Sequence, residues 1–355
     1  MSGMGGWSGA RDKGYSDDSN DRSSTYNTSR DAYKKPAQPW SGVTSGDPDR
    51  KKGDKNRQQS MKAPATPAQK RAVSRHIVDL SPGGKLVSTA RNVLILGLDM
   101  TASMADWRHE VISRGEGMLE LMKKYTGTDD IQILILGFGD GPCRDSAPLM
   151  VAPEFGSDII LADYLGALER QGGGGNGVES SQLVFQHVLR MVDTSKAANV
   201  WTMVVTDEDT YAATRPDEID KYFPDTGDEY PLGTKEAVNL LRDRAEVYCV
   251  FCEGSGLMDY RERPEFKKHW QEIVGEERVI PIEFKERIVD TALLLIANTV
   301  GQGDTFMADF IDRQKGTAFA DINITSVKKS MTVAQSGTGS AVQAPAKTRK
   351  SILDL

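Results

Sequence analysis

Side chains able to bind a metal follow directly after the most apolar run of the chain. Residues 93–98 are apolar without interruption, and Asp99, Thr101 and Ser103 come next at alternate positions. Such a run is typical of a strand buried on both faces of a parallel sheet, and open α/β sheets bind ligands beyond the carboxyl ends of their strands. One carboxylate and two hydroxyls suit a hard cation such as Mg²⁺, which takes about six oxygen ligands. The sequence therefore predicts a divalent-metal site at the edge of a sheet.

In two later segments, polar side chains again follow an apolar or a glycine-rich stretch. Val204-Val-Thr-Asp207 is an apolar run that ends in an acid, and a glycine-rich segment at 172–177 leads into Val178-Glu-Ser-Ser181. The spacing Asp99-x-Thr101-x-Ser103 resembles the D-x-[ST]-x-S of the metal-ion-dependent adhesion site of the von Willebrand factor A (vWA) family. Residues 204–207 resemble that family's second acidic loop. The glycine-rich segment resembles the middle metal loop of some intracellular vWA proteins, and the resemblance covers roughly residues 88–312.

The resemblance implies a fold, a metal and a function. The expected fold is a three-layer α/β/α Rossmann-like vWA fold with a mostly parallel central sheet and one short antiparallel edge strand. The expected cofactor is Mg²⁺ or Mn²⁺, and the expected function is a non-enzymatic protein–protein interaction module that captures an Asp or Glu carboxylate of a protein partner. Intracellular vWA proteins often act beside ATPases or in multi-component complexes. The implied metal ligands are Asp99, Thr101, Ser103 and Asp207, with Asn176, Glu179 and Ser180 of the glycine-rich loop as further candidates.

Strand-like and helix-like segments alternate along the chain, which independently predicts a mostly parallel sheet with helices on both faces. A short edge strand is expected at 148–155, where Pro148 and Pro153 stand at the ends as edge strands allow. The long segment 208–230 is predicted to be a functional lid or rim. Further strands are predicted at 131–138, 200–206, 246–251 and 278–284, and helices at 105–125, 159–170, 178–192, 232–244, 262–274 and 287–300.

Composition divides the chain into three parts. Residues 1–75 and 327–355 are polar, with too few apolar side chains to offset the entropy of ordering them, so both are predicted to be disordered tails around one domain at 76–326. The first segment holds 15 Lys+Arg and 8 Asp+Glu, and the last holds 5 and 1. The domain holds 24 and 42, a net charge of −18. We therefore expect no nucleic acid on the domain surface, because phosphates would be repelled.

Cysteine and histidine use argues against disulfides and against a catalytic triad. Cys143, Cys249 and Cys252 are an odd count in a large chain, and the last two fall on opposite faces of a predicted strand, so they are expected to be core residues. His109 and His187 fall in predicted helices and are expected at the surface or its boundary. No N-terminal apolar segment and no apolar run near 18 residues is present, so we expect a cytoplasmic protein without a membrane span.

Two other interpretations of the first motif stay open at this point. Asp99 could cap the helix that begins near Ala105, since Asp is a preferred capping residue. Asp99-Met-Thr101 also resembles the phosphoryl-transfer motif of haloacid-dehalogenase-like enzymes, with Thr101 in place of the second acid. The alternative function is therefore a Mg²⁺-dependent phosphohydrolase that uses Asp99. Residues 137–141 do not make a dinucleotide loop, because their third glycine comes one residue too early.

Overall fold

A computed structural model describes the chain over residues 85–142, 145, 147–156, 159–168, 170–172, 177–223, 233–253, 264–317 and 319–338. The predicted N-terminal tail at 1–75, the last 17 residues of the predicted C-terminal tail, Cys143 and Asn176 lie outside these ranges. No helix within them combines the length and the apolarity needed to cross a bilayer.

The described ranges contain ten strands and nine α-helices. The strands are β1 (Leu86–Val87), β2 (Asn92–Asp99), β3 (Ile131–Phe138), β4 (Leu149–Val151), β5 (Val178–Glu179), β6 (Val192–Asp193), β7 (Asn199–Thr206), β8 (Asp209–Thr210), β9 (Glu246–Cys252) and β10 (Val279–Ile282). The helices are α1 (Ala105–Thr126), α2 (Ile159–Ala167), α3 (Gln182–Met191), α4 (Pro216–Tyr222), α5 (Thr234–Arg242), α6 (Pro264–Val274), α7 (Ile288–Thr299), α8 (Gly303–Gln314) and α9 (Ala320–Thr338).

Six of these strands form one sheet in the order β10-β9-β7-β2-β3-β4. All neighbours in it are parallel except β4, which pairs antiparallel with β3 at the edge. Every residue of β2 is buried, as its apolar sequence requires of a strand at the centre of a parallel sheet. The mostly parallel sheet and its short antiparallel edge strand are as predicted.

Helices cover both faces of the sheet, which makes three layers. Leu96 of β2 faces α1 and α7. Together with Val111 of α1 and Ala292 of α7, it lines a small gap between the sheet and these helices. The next residue, Gly97, faces the opposite side, where a Cβ atom would come within 3.0 Å of Val184 of α3. A larger residue at this position would push α3 away from the sheet, so the glycine permits the close packing of the two layers.

The structure differs from the prediction in the two segments 178–181 and 208–230. Residues 178–181 are not the first turn of a helix, because Val178 and Glu179 pair with Asp209 and Thr210 as a short parallel sheet, and α3 begins only at Gln182. The predicted lid at 208–230 is partly folded. It contains β8 and α4, which has a proline in its first turn, a favoured position because the missing N–H is not needed there.

The C-terminal boundary predicted at residue 326 lies inside a helix. Helix α9 runs from Ala320 to Thr338, so residues 327–338 do not belong to a disordered tail. Val327, Ser330 and Ala334 are buried on this helix, and it packs on α7, α8 and β10. The apolar stripe is sparse, but its spacing of three, four and seven residues is helical.

Candidate functional site

The carboxyl ends of β2 and β7 form the centre of the candidate site. The two strands are parallel neighbours, with Leu98 in register with Val205. Asp99 ends β2 and Thr206 ends β7, so the polar residues after each strand meet at one edge of the sheet. The backbone N–H of Met100 donates to the carbonyl of Phe138 at the end of β3, which fixes the start of the loop that carries Thr101 and Ser103.

Three donors hold the carboxylate of Asp99. Its Oδ1 accepts from the backbone N–H of Thr101 at 2.9 Å and from the Thr101 hydroxyl at 2.5 Å. Its Oδ2 accepts from the Thr206 hydroxyl at 2.9 Å. Asp99 is 1% exposed, so its orientation is set by the chain and not by water. The helix-capping interpretation is not supported, because the residue before α1 is Met104 and no side chain caps that helix.

A chain of hydroxyl contacts links Asp99 to Asp207. The Thr101 and Ser103 hydroxyl oxygens are 3.3 Å apart, and Ser103 Oγ donates to Asp207 Oδ1 at 3.1 Å. This last contact joins residues 104 positions apart in the sequence. The four residues predicted to bind the metal therefore converge on one place in the fold.

The pKa of Asp99 is raised well above the ordinary value, because burial removes its carboxylate from water and the carboxylate of Asp207 repels its charge. The hydrogen bonds from Thr101 and Thr206 act in the opposite direction and do not outweigh burial. A cation bound between the two acids would favour the charged form of Asp99 and so act against this rise in its pKa.

Glu179 is a further buried acid at this edge of the sheet. Strand β5 brings it to this edge by pairing with β8, where Glu179 is in register with Thr210. Glu179 is 1% exposed, and among the described residues neither carboxylate oxygen has a hydrogen-bond partner. Burial, followed by the charges of Asp99, Glu208, Asp140 and Asp145, raises the pKa of Glu179 to about 11. Buried carboxylates normally have partners, so these oxygens fit a site that accepts a cation.

Ser180 has a different set of contacts from the other candidates. Its backbone N–H donates to the carbonyl of Gly139 at 2.8 Å, and its hydroxyl accepts from the N–H of Gly141 at 3.0 Å. Asp140, between these glycines, is fully buried and accepts a 2.8 Å hydrogen bond from the Tyr211 hydroxyl. Ser180 therefore fastens the loop after β3 to the edge of the site.

The donor set fits a hard divalent cation only if the hydroxyls take part. No three His, Cys, Asp or Glu side chains within the described ranges come together in a way that would hold an ion. Two carboxylates, from Asp99 and Asp207, and two hydroxyls, from Thr101 and Ser103, do come together. All are oxygen donors of the kind that Mg²⁺ and Mn²⁺ accept, and a hydroxyl that donates to a carboxylate keeps lone pairs for a metal.

Sequence reasoning did not identify Thr206 and Asp140 as parts of the site. Thr206 lies one residue before Asp207, at the end of a predicted strand. The alternation of side chains along that strand could have indicated that Thr206 is close to Asp99. Asp140 lies within the glycine pattern at 137–141, two residues after the end of β3. Asn176, a third candidate from the glycine-rich loop, lies outside the described residues.

The structure also tests the expectations for cysteine and histidine. Cys249 and Cys252 are buried free thiols on β9, as predicted. His109 is exposed, as predicted. His187 is not at the surface: it is 1% exposed, because every residue of α3 is buried. Burial lowers the pKa of His187 to about 3.

Comparisons with known proteins give a fold likeness only. No family model matches the chain, and no curated protein matches it. The chain is similar to the vWF domain of the type V pili tip protein Mfa5 from Porphyromonas gingivalis, with 11% identity and a TM-score of 0.42 over 61% of this chain and 97% of that one. It is also similar to the pilus adhesin SpaC from Lactobacillus rhamnosus GG, with 14% identity and a TM-score of 0.41 over 61% of this chain and 31% of the adhesin.

A third similar structure is proximal thread matrix protein 1 from the mussel byssus, with 13% identity and a TM-score of 0.37 over 61% of this chain and 47% of that one. The chain thus spans less than half the length of the byssus protein and about a third of the adhesin. The likeness concerns overall α/β architecture, and the description of the site rests on this chain's own residues.

Proposed function

We propose that this chain is a vWA-type, non-enzymatic protein-interaction module, in which Mg²⁺ or Mn²⁺ captures an Asp or Glu side chain of a protein partner. The observation that carries the proposal is the contact of Ser103 with Asp207, which brings the two predicted metal loops together. The cytoplasmic location and the multi-component complex expected from the sequence stay predictions.

In this proposal, the four residues of the site would bind the ion with two neutral and two charged side chains. Thr101 and Ser103 would hold the ion through neutral oxygens, and Asp99 and Asp207 would supply negative charge directly or through water. The bound ion would supply a positively charged anchor for a partner carboxylate. Thr101, Asp99 and Asp207 are buried, whereas Ser103 is half-buried. A partner would therefore approach from the Ser103 side, and the other three would keep bulk water away from the contact.

The position of Asp99 favours binding over phosphoryl transfer. A nucleophilic aspartate needs an ionised oxygen that a phosphate can reach, but both Asp99 oxygens accept hydrogen bonds and the residue is buried. We therefore expect no Mg²⁺-dependent turnover of p-nitrophenyl phosphate by the full chain. Turnover that Asp99→Asn abolishes would support the phosphohydrolase instead.

Calorimetric titration of the full chain with Mn²⁺ tests the metal. We expect one ion per chain, with affinity lowered about tenfold or more in Asp99→Asn and Asp207→Asn, because removing a ligand or its support costs at least this much at metal sites. Asp217→Asn is the matched control, since Asp217 lies on α4 with an exposed side chain paired to Arg215. Absence of binding in the wild type, or equal affinity in all four proteins, would contradict the proposal.

A further inference from the structure

The hydroxyl of Thr206 lies between the carboxylate of Asp99 and the peptide group of Glu208. Thr206 ends β7, is fully buried, and donates to Asp99 Oδ2 at 2.9 Å. The same oxygen accepts from the backbone N–H of Glu208 at 3.1 Å. A hydroxyl has a single hydrogen, and the Glu208 carbonyl is the more distant acceptor, at 3.5 Å. The Thr206 hydrogen is therefore directed at Asp99.

The peptide group of Glu208 is itself held by a helix outside the site. The indole Nε1 of Trp270, on α6, donates to the Glu208 carbonyl at 2.9 Å. Trp270 is fully buried, and its ring packs edge-on against Phe185 of α3, with the ring centroids 6.2 Å apart. A large ring in a close-packed core cannot turn without displacing its neighbours. The contact with Trp270 therefore fixes the position of the Glu208 carbonyl.

A second contact joins the same segment to α6. His269 Nδ1 lies 2.6 Å from Asp209 Oδ1, and Asp209 begins β8 directly after Glu208. Asp209 Oδ1 also accepts from the backbone N–H of Thr210 at 2.8 Å. Two neighbouring residues of α6 thus hold two neighbouring residues of the segment that follows β7. The position of residues 208–209 therefore depends on α6 as well as on the sheet.

We propose that Trp270, the Glu208 peptide group and Thr206 form a hydrogen-bond relay that sets the orientation of the Asp99 carboxylate. Thr206 and Trp270 are positioning residues, since neither is among the proposed metal ligands and both act through Asp99. The inference rests on the proposed function and adds that α6 controls the affinity of the cation site. Thr101 holds one oxygen of Asp99 and the relay holds the other. Removing a group that orients a metal ligand typically lowers metal affinity about 10- to 100-fold.

The test compares variants that each remove one polar group with matched controls on β7. Thr206→Val and Trp270→Phe break the relay, whereas Thr206→Ser keeps the hydroxyl. The controls are Thr202→Val and Trp201→Phe. Thr202 and Trp201 are as buried as the residues of the relay, but among the described residues the Thr202 hydroxyl and the Trp201 indole N–H have no hydrogen-bond partner. The controls therefore remove the same atoms without breaking such a contact.

Two measurements on the full chain report on the relay. Calorimetric titration gives the affinity for Mn²⁺. Residue-resolved amide hydrogen exchange in EDTA reports on Asp99 without metal, because the N–H of Thr101 donates to Asp99 Oδ1 and exchanges when that contact opens. The amide of Leu134, in the buried centre of β3, reports on the stability of the whole domain. A variant that only destabilises the fold should raise the exchange rate equally at both amides.

We expect Thr206→Val to bind Mn²⁺ about tenfold more weakly than the wild type and to exchange the Thr101 amide about tenfold faster, with a smaller change at Leu134. Trp270→Phe should show both changes at about threefold, because it acts on Asp99 through the Glu208 peptide group and Thr206. Thr206→Ser and the two controls should stay within about twofold of the wild type.

Three results would overturn the inference: losses in the controls equal to those in the relay variants, no rescue by Thr206→Ser, or lower stability with unchanged Mn²⁺ affinity and equal exchange at Thr101 and Leu134. If Thr206→Val does not fold, the comparison of Trp270→Phe with Trp201→Phe decides in the same way.

The two proposals fail in different ways. If the wild type binds no Mn²⁺, the metal-dependent capture is contradicted, and the exchange rate of the Thr101 amide in EDTA still decides whether the relay orients Asp99. If the wild type and all the variants bind Mn²⁺ with equal affinity, the metal site stands and the relay is wrong.

Discussion

The two buried acids Asp290 and Asp99 have charged neighbours of opposite sign. Asp290, on α7, is 1% exposed and lies 3.1 Å from Arg114, 2.9 Å from Arg287 and 3.9 Å from Arg313. Asp99 is equally buried, but the charged group acting on it is another acid, Asp207. Burying a charge is costly unless it is paired. The difference therefore separates an acid that stabilises the fold from the acid that we propose binds a cation.

The surroundings of the two acids support the same distinction. The arginines around Asp290 stack on aromatic rings: Arg287 lies over Phe310 and Arg313 over Phe306 and Phe310. Helices α1, α7 and α8 meet there, so the ion pairs connect three packed elements. The neighbours of Asp99 are hydroxyls at strand ends, which can bind either a carboxylate or a metal.

Asp290→Asn should give the largest loss of stability, because it leaves three arginine side chains with no common counter-charge. Removing one partner of a buried ion pair typically lowers the free energy of unfolding by about 3–5 kcal/mol. Urea unfolding of the full chain measures it. The control is Asp312→Asn, whose carboxylate pairs with Lys315 at the surface; this substitution should leave the unfolding midpoint unchanged. A midpoint of Asp290→Asn equal to that of the control would show that the arginine cluster does not stabilise the fold.

Glu179→Gln should have the opposite effect and raise the free energy of unfolding when metal is chelated. The pKa of Glu179 is about 11 in the fold and about 4.3 in an unfolded chain, so between these values the folded protein binds the extra proton and its stability falls as pH rises. The uncharged glutamine side chain of the variant does not have to take up a proton when the protein folds. At neutral pH in EDTA, Glu179→Gln should therefore be more stable than the wild type, by something on the order of 1–3 kcal/mol.

The pH dependence provides the check on Glu179. From pH 5 to pH 8 in EDTA, the free energy of unfolding of the wild type should decline more steeply than that of Glu179→Gln. Parallel curves for the two proteins would mean that Glu179 is not held in its protonated form by the fold.

His187 tests whether burial alone, without a neighbouring like charge, is sufficient to shift a pKa. Its pKa is about 3 in the fold because of burial and about 6.5 in an unfolded chain. The unfolded chain therefore binds more protons between these values, and stability falls as pH drops below about 6.5. One proton corresponds to at most about 1.4 kcal/mol per pH unit. His187→Gln should reduce this acid-side slope, whereas His109→Gln, at an exposed position, should not. An unchanged slope in His187→Gln would contradict the burial of a neutral imidazole.

The sequence predicted the sheet better than the helices. The bounds of β3 were predicted to the residue and those of β2 and β7 within one, because apolar runs of this length, interrupted only by Gln132 and Thr202, are typical of strands buried on both faces. Helix α8 was missed because its polar face is broad and its glycine start gives a weak signal. Helix α9 was missed because Ser, Thr and Lys dominate its sequence. Its spacing of Val327, Met331 and Ala334 was nonetheless helical.

At the site, the sequence predicted which residues come together but not what surrounds them. The order of strand ends was sufficient to bring Asp99 and Asp207 to one edge. The orphaned oxygens of Glu179 depend on the pairing of β5 with β8, two-residue strands that no periodicity reveals.

Anomalous diffraction from crystals of the full chain grown with Mn²⁺ tests the central contrast most directly. The account predicts one strong manganese peak within about 2.2 Å of side-chain oxygens of Thr101 and Ser103, or linked to Asp99 and Asp207 through water. It predicts no peak beside Asp290, where arginines already supply the positive charge. Well-ordered crystals with no peak at the Asp99–Asp207 edge, or with manganese bound elsewhere on the domain, would contradict it.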